Sequence, residues 1–473
     1  MTAFRISSIA LDLGTTSIKA GLLGQDGALG NIVAKPAPKI AVNGGHYESD
    51  ALAYTAAAEQ VLNECITLAN NCQILGMCCQ RSSFLIWEQA TGQPLTPLIS
   101  WQDNRGAESC DALHAHENLI RELTGLPLTP YYFAPKLRSM LQDNPEWLAR
   151  LELGELLAGT LDTFLIWRWT GGKHFRTDVS MAARTMLMGI RQQQWSPQLC
   201  ELFGIPSSIL PEVKPSAGLH LRLDNGLILQ ASVADQSAAL IASVSEERAE
   251  ALVNLGTGCF VVRYLPNKNL SAEKFTSDGY LKTLAYQDST QHSHFAIEGT
   301  LNSIAAAFAP YPVDECRIDD LFLGDIFCLA EPSGIGAPYF RNDLGIRFSR
   351  PIEHLTQHRI AALLLEAVVF RVARILEDFH HESAIERVYL SGGLSELTCL
   401  QQGIAQCVPI DVYRMSQAES SLCGAALLAA GMAPAFNREA ERIPAARSTN
   451  APLEKYRRWK EWLDVLLGSD KAV

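Results

Sequence analysis

Long apolar runs are missing from this 473-residue sequence, and so is any regular spacing of cysteines. No stretch approaches the ~20 apolar residues that cross a bilayer, and Asp12 interrupts the only early apolar run. The 12 cysteines are scattered without a Cys-x-x-Cys pair, which in a chain of this length is typical of reduced core thiols. We therefore expect a cytoplasmic protein with no signal peptide and no membrane partner.

Positive charge is also in short supply. Lys and Arg number 39 against 51 Asp and Glu, which gives a formal net charge of −12. Nucleic acids and anionic membrane surfaces both require basic surfaces, so neither is expected as the principal partner. Apolar content of 48% argues against disorder, and 473 residues exceed what one hydrophobic core usually covers. Length therefore predicts two domains and leaves a third open.

Two common nucleotide-binding motifs are missing as well. The pattern Gly-x-x-x-x-Gly-Lys-Ser/Thr occurs nowhere, since Gly172-Lys173 lacks the upstream glycine. The Gly-x-Gly segments at 256–258 and 334–336 lack the third glycine of the dinucleotide fingerprint. An NAD-dependent oxidoreductase is therefore not expected, and any nucleotide must be held by another kind of turn.

The sequence does contain a repeated hairpin pattern. Residues 9–23 alternate as two strands around a small turn, with Asp12 near the end of the first strand, and residues 251–265 repeat the pattern. The two turns consist of Gly14, Thr15 and Thr16 in the first copy and of Gly256, Thr257 and Gly258 in the second. One repeat at domain spacing indicates a duplicated domain, whose two turns would grip one polyphosphate from both sides. A carboxylate such as Asp12 beside uncovered N–H groups suits a hydrated divalent ion, although plain strand turns have the same composition.

Several predicted strands stop on polar or glycine-rich ends, where ligands usually bind in open α/β sheets. The strands are predicted over residues 74–79, 227–232 and 387–390, before Gln80-Arg81, Asp235-Gln236 and Gly392-Gly393 respectively. Helical spacing predicts helices over residues 49–68, 159–171, 297–308, 359–380 and 420–431, and a terminal packing helix that includes Trp459. Asp235 stands where a strand becomes a helix, and a helix N-terminus favours the ionised carboxylate. A plain helix N-cap is the alternative role for this residue.

The order of motifs resembles that of the FGGY carbohydrate kinases, within the sugar kinase/Hsp70/actin superfamily, over about residues 6–431. In chain order the motifs are Asp-x-Gly-Thr-Thr-Ser, Gln-Arg, Trp-Gln-Asp-x-Arg, Thr-Asp, Ala-Asp-Gln, Gly-Thr-Gly, Gly-Ala-Pro-Tyr and Ser-Gly-Gly. Within the family, the nearest pattern is that of the glycerol kinases. The resemblance implies an α/β fold of two RNase H-like (actin-like ATPase) domains with an interdomain nucleotide cleft. It implies an N-terminal domain at 1–240, a C-terminal domain at 241–435 and a tail at 436–473.

The resemblance also implies ATP and Mg²⁺ as cofactors and assigns the residues of the site. Asp12 is implied as the residue associated with the metal, and Asp235 as the catalytic base. The substrate-binding positions are Arg81, Ser82, Tyr131, Asp235 and Gln236. The nucleotide-binding positions are Gly14, Thr15, Thr16, Gly256, Thr257, Gly258, Gly392 and Gly393.

Three departures from the glycerol kinase pattern concern the ligands. Ser82 stands where those enzymes carry a glutamate for a terminal hydroxyl, and Leu397 stands where an asparagine is usual. Phe340-Arg341 replaces a Trp-Asp pair. The first departure puts glycerol itself in doubt, because loss of one hydroxyl-binding group changes discrimination by a few kcal/mol. We therefore predict ATP-dependent phosphorylation of a hydroxyl group on a small neutral polyol or sugar.

Alternatives remain open at this point. One is a kinase for a ketose such as a pentulose, and another is a non-catalytic nucleotide switch of the actin or Hsp70 kind. The switch would leave Asp235 and Arg81 without a task. A homodimer is also left open. Asp103 either caps a turn or binds substrate, and His292 and His294 lack further zinc ligands in the sequence, so no second metal is expected.

Overall fold

A computed structural model describes residues 6–265, 279–341, 343–416, 419–433, 440–445 and 450–468. The expected domain boundary at residue 435 lies outside these ranges. Within the described ranges, no helix combines the length and apolar character needed to cross a membrane. All 12 cysteines are described, and each is a free thiol.

The described residues form strands numbered here in chain order. They are β1 (Ile6–Leu13), β2 (Ser17–Gly24), β3 (Leu29–Pro36), β4 (Ala41–Asn43), β5 (His46–Ser49), β6 (Ile74–Cys79), β7 (Phe84–Glu88), β8 (Leu98–Ile99), β9 (Leu156–Thr160), β10 (Arg176–Asp178), β11 (Met188–Gly189), β12 (Gln194–Trp195), β13 (Glu212–Lys214), β14 (Ala217–Arg222), β15 (Ile228–Ala234), β16 (Glu250–Leu255), β17 (Cys259–Leu265), β18 (Leu281–Gln287), β19 (Ser293–Leu301), β20 (Cys328–Leu329), β21 (Arg347–Phe348), β22 (Arg387–Ser391), β23 (Asp411–Arg414) and β24 (Glu441–Arg442).

The α-helices are numbered in the same way. They are α1 (Ala51–Ile66), α2 (Ala107–Leu113), α3 (Glu117–Thr124), α4 (Phe133–Asp143), α5 (Pro145–Glu152), α6 (Leu161–Trp169), α7 (Val179–Ala182), α8 (Pro197–Phe203), α9 (Asp235–Ser243), α10 (Ile304–Phe308), α11 (Gln357–Glu382), α12 (Thr398–Cys407), α13 (Ser420–Ala430) and α14 (Ala451–Gly468).

The first large sheet has the order β14-β15-β6-β1-β2-β3. Strand β1 pairs antiparallel with β2, as the hairpin pattern predicts, and parallel with β6, which in turn runs parallel to β15. Because the carboxyl ends of parallel strands meet at one edge, the residues that follow β1, β6 and β15 are neighbours. Asp12 of β1 accordingly lies opposite Cys78 of β6 in the register. Strand β6 separates β1 from β15, which is followed by α9 with Asp235 as its first residue.

The second large sheet repeats this arrangement, in the order β18-β19-β17-β16-β22-β23-β24. The hairpin β16–β17 is antiparallel, and β16 runs parallel to β22, as β1 does to β6. Both predicted hairpins are therefore confirmed. A smaller sheet, β4-β5-β8-β7-β9, extends the first half of the chain.

Two helices lie between the large sheets, and each packs on both sides of the junction between the halves of the chain. Helix α13 follows the second sheet, yet Leu422 and Ala426 share an apolar cluster with Ala10 of the first sheet. Helix α9 follows the first sheet, yet Leu240 shares an apolar cluster with Leu252 of the second. The helices approach so closely that a Cβ on Gly424 would overlap the carbonyl oxygen of Ala238. Absence of a side chain at Gly424 is therefore a packing requirement.

The terminal helix α14 packs on the body, as predicted. The indole of Trp459 is fully buried and donates to the carbonyl oxygen of Cys328 at 3.0 Å. The Lys455 ammonium pairs with the Glu366 carboxylate of α11 at 2.7 Å, with both side chains buried. Such a pair is costly to break, because removal of one partner leaves an uncompensated buried charge.

Two predicted helices are partly wrong. Within the segment 159–171, Gly159 and Thr160 end strand β9, and the helix begins at Leu161. Within 297–308, residues 297–301 belong to β19, and only Ile304–Phe308 is helical. In both places the end of the strand is buried on both faces, so its residues show no alternation that would separate it from the helix that follows.

We expect Gly424→Ala to destabilise the protein by about 1–3 kcal/mol, because the added methyl group forces α9 and α13 apart. Intrinsic helix preference acts in the opposite direction, favouring Ala over Gly by ~1 kcal/mol. The free energy of unfolding in urea measures the balance. Gly30→Ala is the matched control, since its added Cβ meets nothing within 4 Å. Equal stability of the two variants would contradict the close crossing.

Candidate active site

The first turn lies at the carboxyl edge of the first sheet. The Thr15 hydroxyl donates to Oε1 of Gln80 at 2.9 Å and accepts from the indole Nε1 of Trp101, also at 2.9 Å. The carbonyl oxygen of Gly14 accepts from the Tyr54 hydroxyl at 2.8 Å, and Thr16 is exposed. The turn is thus fixed from inside the protein while Thr16 faces solvent.

Asp12 sits beside this turn with weak compensation for its charge. Its Oδ1 accepts from the thiol of Cys78 at 3.4 Å, and a thiol is a weak donor. Burial raises the pKa of Asp12 to about 7, and the negative charge of Asp235 adds to the rise. Asp12 and Asp235 are therefore close enough to repel one another.

Asp235 is the first residue of α9, and the N-cap position belongs to Ala234. Its Oδ1 accepts from the backbone N–H of Gln236 at 2.8 Å and lies 3.8 Å from Nε of Arg81. Although 25% of the side-chain surface is exposed, burial by the surrounding protein raises the pKa of Asp235, against the lowering effect of Arg81. The helix N-terminus favours the ionised carboxylate, but burial has the larger effect on this pKa.

Arg81 is held by a buried acidic residue that the sequence analysis missed. Its Nη1 and Nη2 donate to the two carboxylate oxygens of Glu298 at 2.9 and 3.2 Å, and Nη2 of Arg184 donates to Glu298 at 3.2 Å. Burial works to raise the pKa of Glu298, but the two guanidinium groups outweigh it and hold that pKa below its usual value. Glu298 therefore stays charged and fixes Arg81 beside Asp235.

Aromatic rings and Ser82 complete this side of the site. The Tyr131 ring lies 5.4 Å from that of Trp101, and the guanidinium of Arg81 lies 5.4 Å above the Phe260 ring. Ser82 is buried with φ 62° and donates its hydroxyl to the carbonyl oxygen of Arg184 at 3.1 Å. The Ser82 hydroxyl is therefore bound to the backbone of Arg184.

The second turn meets residues from the first half of the chain. The N–H of Gly256 donates to the carbonyl oxygen of Gly258 at 2.8 Å, and the carbonyl oxygen of Thr257 accepts from the start of α10 at 3.1 Å. Asn254 occupies the position that Asp12 has in the first hairpin, and its Nδ2 donates to Oε1 of Gln236 at 3.2 Å. Gln236 therefore links the two halves directly.

The glycine pair after β22 lies against the second hairpin. Gly392 has φ 87°, and a Cβ there would lie 2.5 Å from both Oδ1 of Asn254 and the carbonyl oxygen of Leu255. A Cβ on Gly393 would meet nothing within 4 Å. Gly392 is thus required by backbone conformation and close packing, whereas Gly393 borders open space.

The structure brings two groups of predicted residues together. The charge of Asp235 acts on both Asp12 and Tyr131, and Tyr131 also lies near Arg81. In the second group, Gly256 and Gly258 share one turn, and Gly392 packs against Asn254 at the end of β16. Asp103 stabilises a turn, since its carboxylate accepts from Nε of Arg105 at 2.7 Å and from the N–H of Tyr47 at 2.7 Å. Glu298 was missed because the segment around it was predicted to be helical. Trp101 belongs to the Trp-Gln-Asp-x-Arg motif, but the sequence analysis assigned it no role, because its contact with Thr15 joins residues far apart in the chain.

Both halves of the chain are similar to known proteins. Residues 7–231 match the N-terminal domain of the FGGY family of carbohydrate kinases, and residues 251–433 match its C-terminal domain. The chain is 32% identical to an apulose kinase of Pectobacterium atrosepticum, over 96% of both chains. It is 31% identical to a glycerol kinase of Haemophilus influenzae, over 96% of this chain and 95% of the other.

Solved structures show the same fold. Plasmodium falciparum glycerol kinase with ADP superposes with a TM-score of 0.84 at 21% identity, covering 98% of both chains. A ligand-bound xylulose kinase of Lactobacillus acidophilus gives 0.79 at 18% identity, again covering 98% of both chains. The predicted two-domain α/β architecture is confirmed. The chain belongs to the FGGY family of carbohydrate kinases.

Proposed function

We propose that this carbohydrate kinase transfers the γ-phosphoryl group of ATP to a hydroxyl group of a small sugar or polyol, with Asp235 as the general base. Family membership confirms the prediction of an enzyme of this class and sets aside the non-catalytic switch. The observation that carries the assignment of the base is the position of Asp235, at a strand-to-helix junction with Oδ1 fixed by Gln236 and facing Arg81.

Two turns and one glycine support the nucleotide assignment. Gly14, Thr15 and Thr16 in the first half, with Thr257 and Gly258 in the second, would supply backbone N–H groups to the phosphates. Gly256 would shape the second turn, because its own N–H donates to the carbonyl oxygen of Gly258. Gly393 borders open space beside the second turn, which suits the flat adenine ring, since no Cβ stands in the way. Asn254 ties this region to Gln236 and thus to the substrate side.

The residues present fit a divalent cation. Burial raises the pKa values of both Asp12 and Asp235, and the charge of Asp235 adds to the rise at Asp12. A cation beside Asp12 would offset both effects on its carboxylate. Asp12 would hold Mg²⁺, directly or through water, because Mg²⁺ favours carboxylate and water oxygens. When bound, the ion would neutralise charge on the phosphates during transfer.

The remaining chemistry falls to the protein side chains. The substrate oxygen attacks the γ-phosphorus as the bond to the β,γ-bridging oxygen breaks, and the hydroxyl proton passes to Asp235. Since Oδ1 is held by Gln236 and faces Arg81, we assign the proton to Oδ2. A raised pKa suits this role, because a stronger base takes the proton more readily as transfer proceeds.

The acceptor is a sugar rather than glycerol in this proposal. Ser82 occupies the position of a glutamate in glycerol kinases, and its hydroxyl is turned to the carbonyl oxygen of Arg184. The position next to Arg81 therefore lacks the carboxylate that would bind a terminal hydroxyl of glycerol. A ketose such as a pentulose fits that change, and the apulose kinase of Pectobacterium atrosepticum is among the similar proteins.

We expect Asp235→Asn to lower kcat by about 10²–10⁴-fold, because the amide cannot accept the hydroxyl proton. The affinity for ATP should change little. Coupled measurement of ADP release gives kcat, and equilibrium titration gives nucleotide affinity. Asp50→Asn is the control, since Asp50 caps α1 through Leu52 and Ala53 and Asn is an equally good cap. Near-normal turnover of Asp235→Asn would remove this residue from the role.

We expect the wild-type protein to show a kcat/KM for glycerol at least about tenfold below that for its best ketose. Ser82→Glu should raise the ratio of glycerol to ketose turnover by about 10–100-fold, because it restores a hydroxyl acceptor. Ser82→Gln matches the glutamate in size without its charge. If Ser82→Gln shifted the ratio as much as Ser82→Glu, pocket volume rather than a carboxylate would set the preference.

A further inference from the structure

We propose that Glu246, His292 and His294 form a binding site for one divalent transition-metal ion of the Zn²⁺ type. Among the described residues, one ligand atom from each of these side chains lies within 4.8 Å of the other two. Tetrahedral zinc sites with bonds of about 2.0–2.2 Å separate their ligand atoms by ~3.3–3.6 Å. Small side-chain rotations therefore bring the three into coordination.

The backbone presents the two histidines together. Asp288 Oδ1 accepts from the N–H groups of Thr290 and His292, at 2.8 and 3.0 Å, and so fixes the turn before β19. His294 follows two residues after His292, and alternate residues of an extended chain point to the same face. The two imidazole rings are 4.8 Å apart at 81°. The sequence analysis named both histidines but expected no metal there, because the third ligand is remote in the chain.

The third ligand comes from the segment that joins the two halves of the chain. Glu246 lies between α9 and β16, and its Oε2 is 2.5 Å from Nδ1 of His294. About 25% of the Glu246 side chain is exposed, against 12% for His294. The carboxylate thus reaches a largely buried imidazole, and its partial exposure leaves a path for the ion.

On its other side, the His294 ring faces a second carboxylate, as histidines that bind a metal commonly do. Its Nε2 is buried and lies 3.5 Å from Oδ2 of Asp288. Ligating histidines commonly direct their second N–H to a carboxylate, which fixes the tautomer and makes the ligand nitrogen more basic. The Tyr286 ring stacks on His294 at 4.1 Å and 7°, so the imidazole plane is also fixed.

The alternative is a protonated His294 paired with Glu246 and Asp288 and no metal. That arrangement accounts for the pair at 2.5 Å, and a metal would in addition bind the His292 ring, which lies 4.8 Å from that of His294. A metal uses all three side chains, with water completing the coordination. None of the three ligands takes part in the proposed reaction, so the metal site does not depend on that proposal.

A metal at this position would join two parts of the fold. The turn before β19 already contacts the first half of the chain, since Ser293 Oγ donates to Oε1 of Gln193 at 2.8 Å and the N–H of Ser216 donates to the carbonyl oxygen of Gln287 at 2.9 Å. Coordination by Glu246 would also attach the joining segment to this turn. We therefore assign the ion a stabilising role.

The test is a Zn²⁺ titration of the full chain without a polyhistidine tag, after treatment with EDTA and with excess Mg²⁺ present to occupy the nucleotide site. We expect one tight Zn²⁺ per chain and a rise in the thermal unfolding midpoint. His292→Ala and Glu246→Gln should each weaken Zn²⁺ binding by at least about 100-fold, because each removes a ligand. Both should abolish the rise in the midpoint.

His354→Ala is the matched control, since His354 is exposed and lies outside the cluster. It should bind Zn²⁺ like the wild type. Without metal, all variants should keep the wild-type kcat, and the rise in the midpoint is measured for each variant against its own metal-free value, which separates ligand loss from misfolding. Zn²⁺ binding that is equally tight in the wild type and in His292→Ala would overturn the proposal. Failure of the wild type to bind would overturn it too and would favour the protonated pair.

Discussion

The crossing of α9 and α13 is the constraint on which the rest of the structure depends. Each helix leaves one large sheet and packs toward the other, and at Gly424 the two backbones nearly touch. Asp235 is the first residue of α9, and Ser420 at the start of α13 shares a hydrogen bond of 2.7 Å with Ser391 of β22. The crossing therefore sets the position of the proposed base and anchors the strand that leads to Gly392.

Competition between burial and local charge decides the electrostatics of the site. A helix N-terminus stabilises a carboxylate by about 0.3–1 kcal/mol when exposed, which is less than the cost of removing the charge from water. The pKa of Asp235 is consequently raised. At Glu298 the balance is reversed, because two guanidinium groups bind one carboxylate directly. The pKa values of the two carboxylates that face Arg81 thus shift in opposite directions for an identifiable reason.

Local patterns predicted the hairpins and the strand before Asp235, because alternation and turn composition are properties of neighbouring residues. The run around Glu298 could not be read in this way, since a strand buried on both faces lacks alternation. The packing of α13 on the opposite sheet is a tertiary property with no local signal. Glu246 is a similar case, because only folding brings it to the histidines of a distant turn.

The Thr15 hydroxyl lies between the turn proposed for the phosphates and the residues proposed to bind the sugar. It binds both Gln80 and the Trp101 indole, and the Trp101 ring in turn contacts that of Tyr131 beside Arg81. Any ligand that shifts Trp101 must also disturb the turn proposed for the phosphates. By thermodynamic linkage, whatever factor the sugar adds to nucleotide affinity the nucleotide returns to the sugar. One hydroxyl group thereby connects the turn proposed for the phosphates with the aromatic rings beside Arg81.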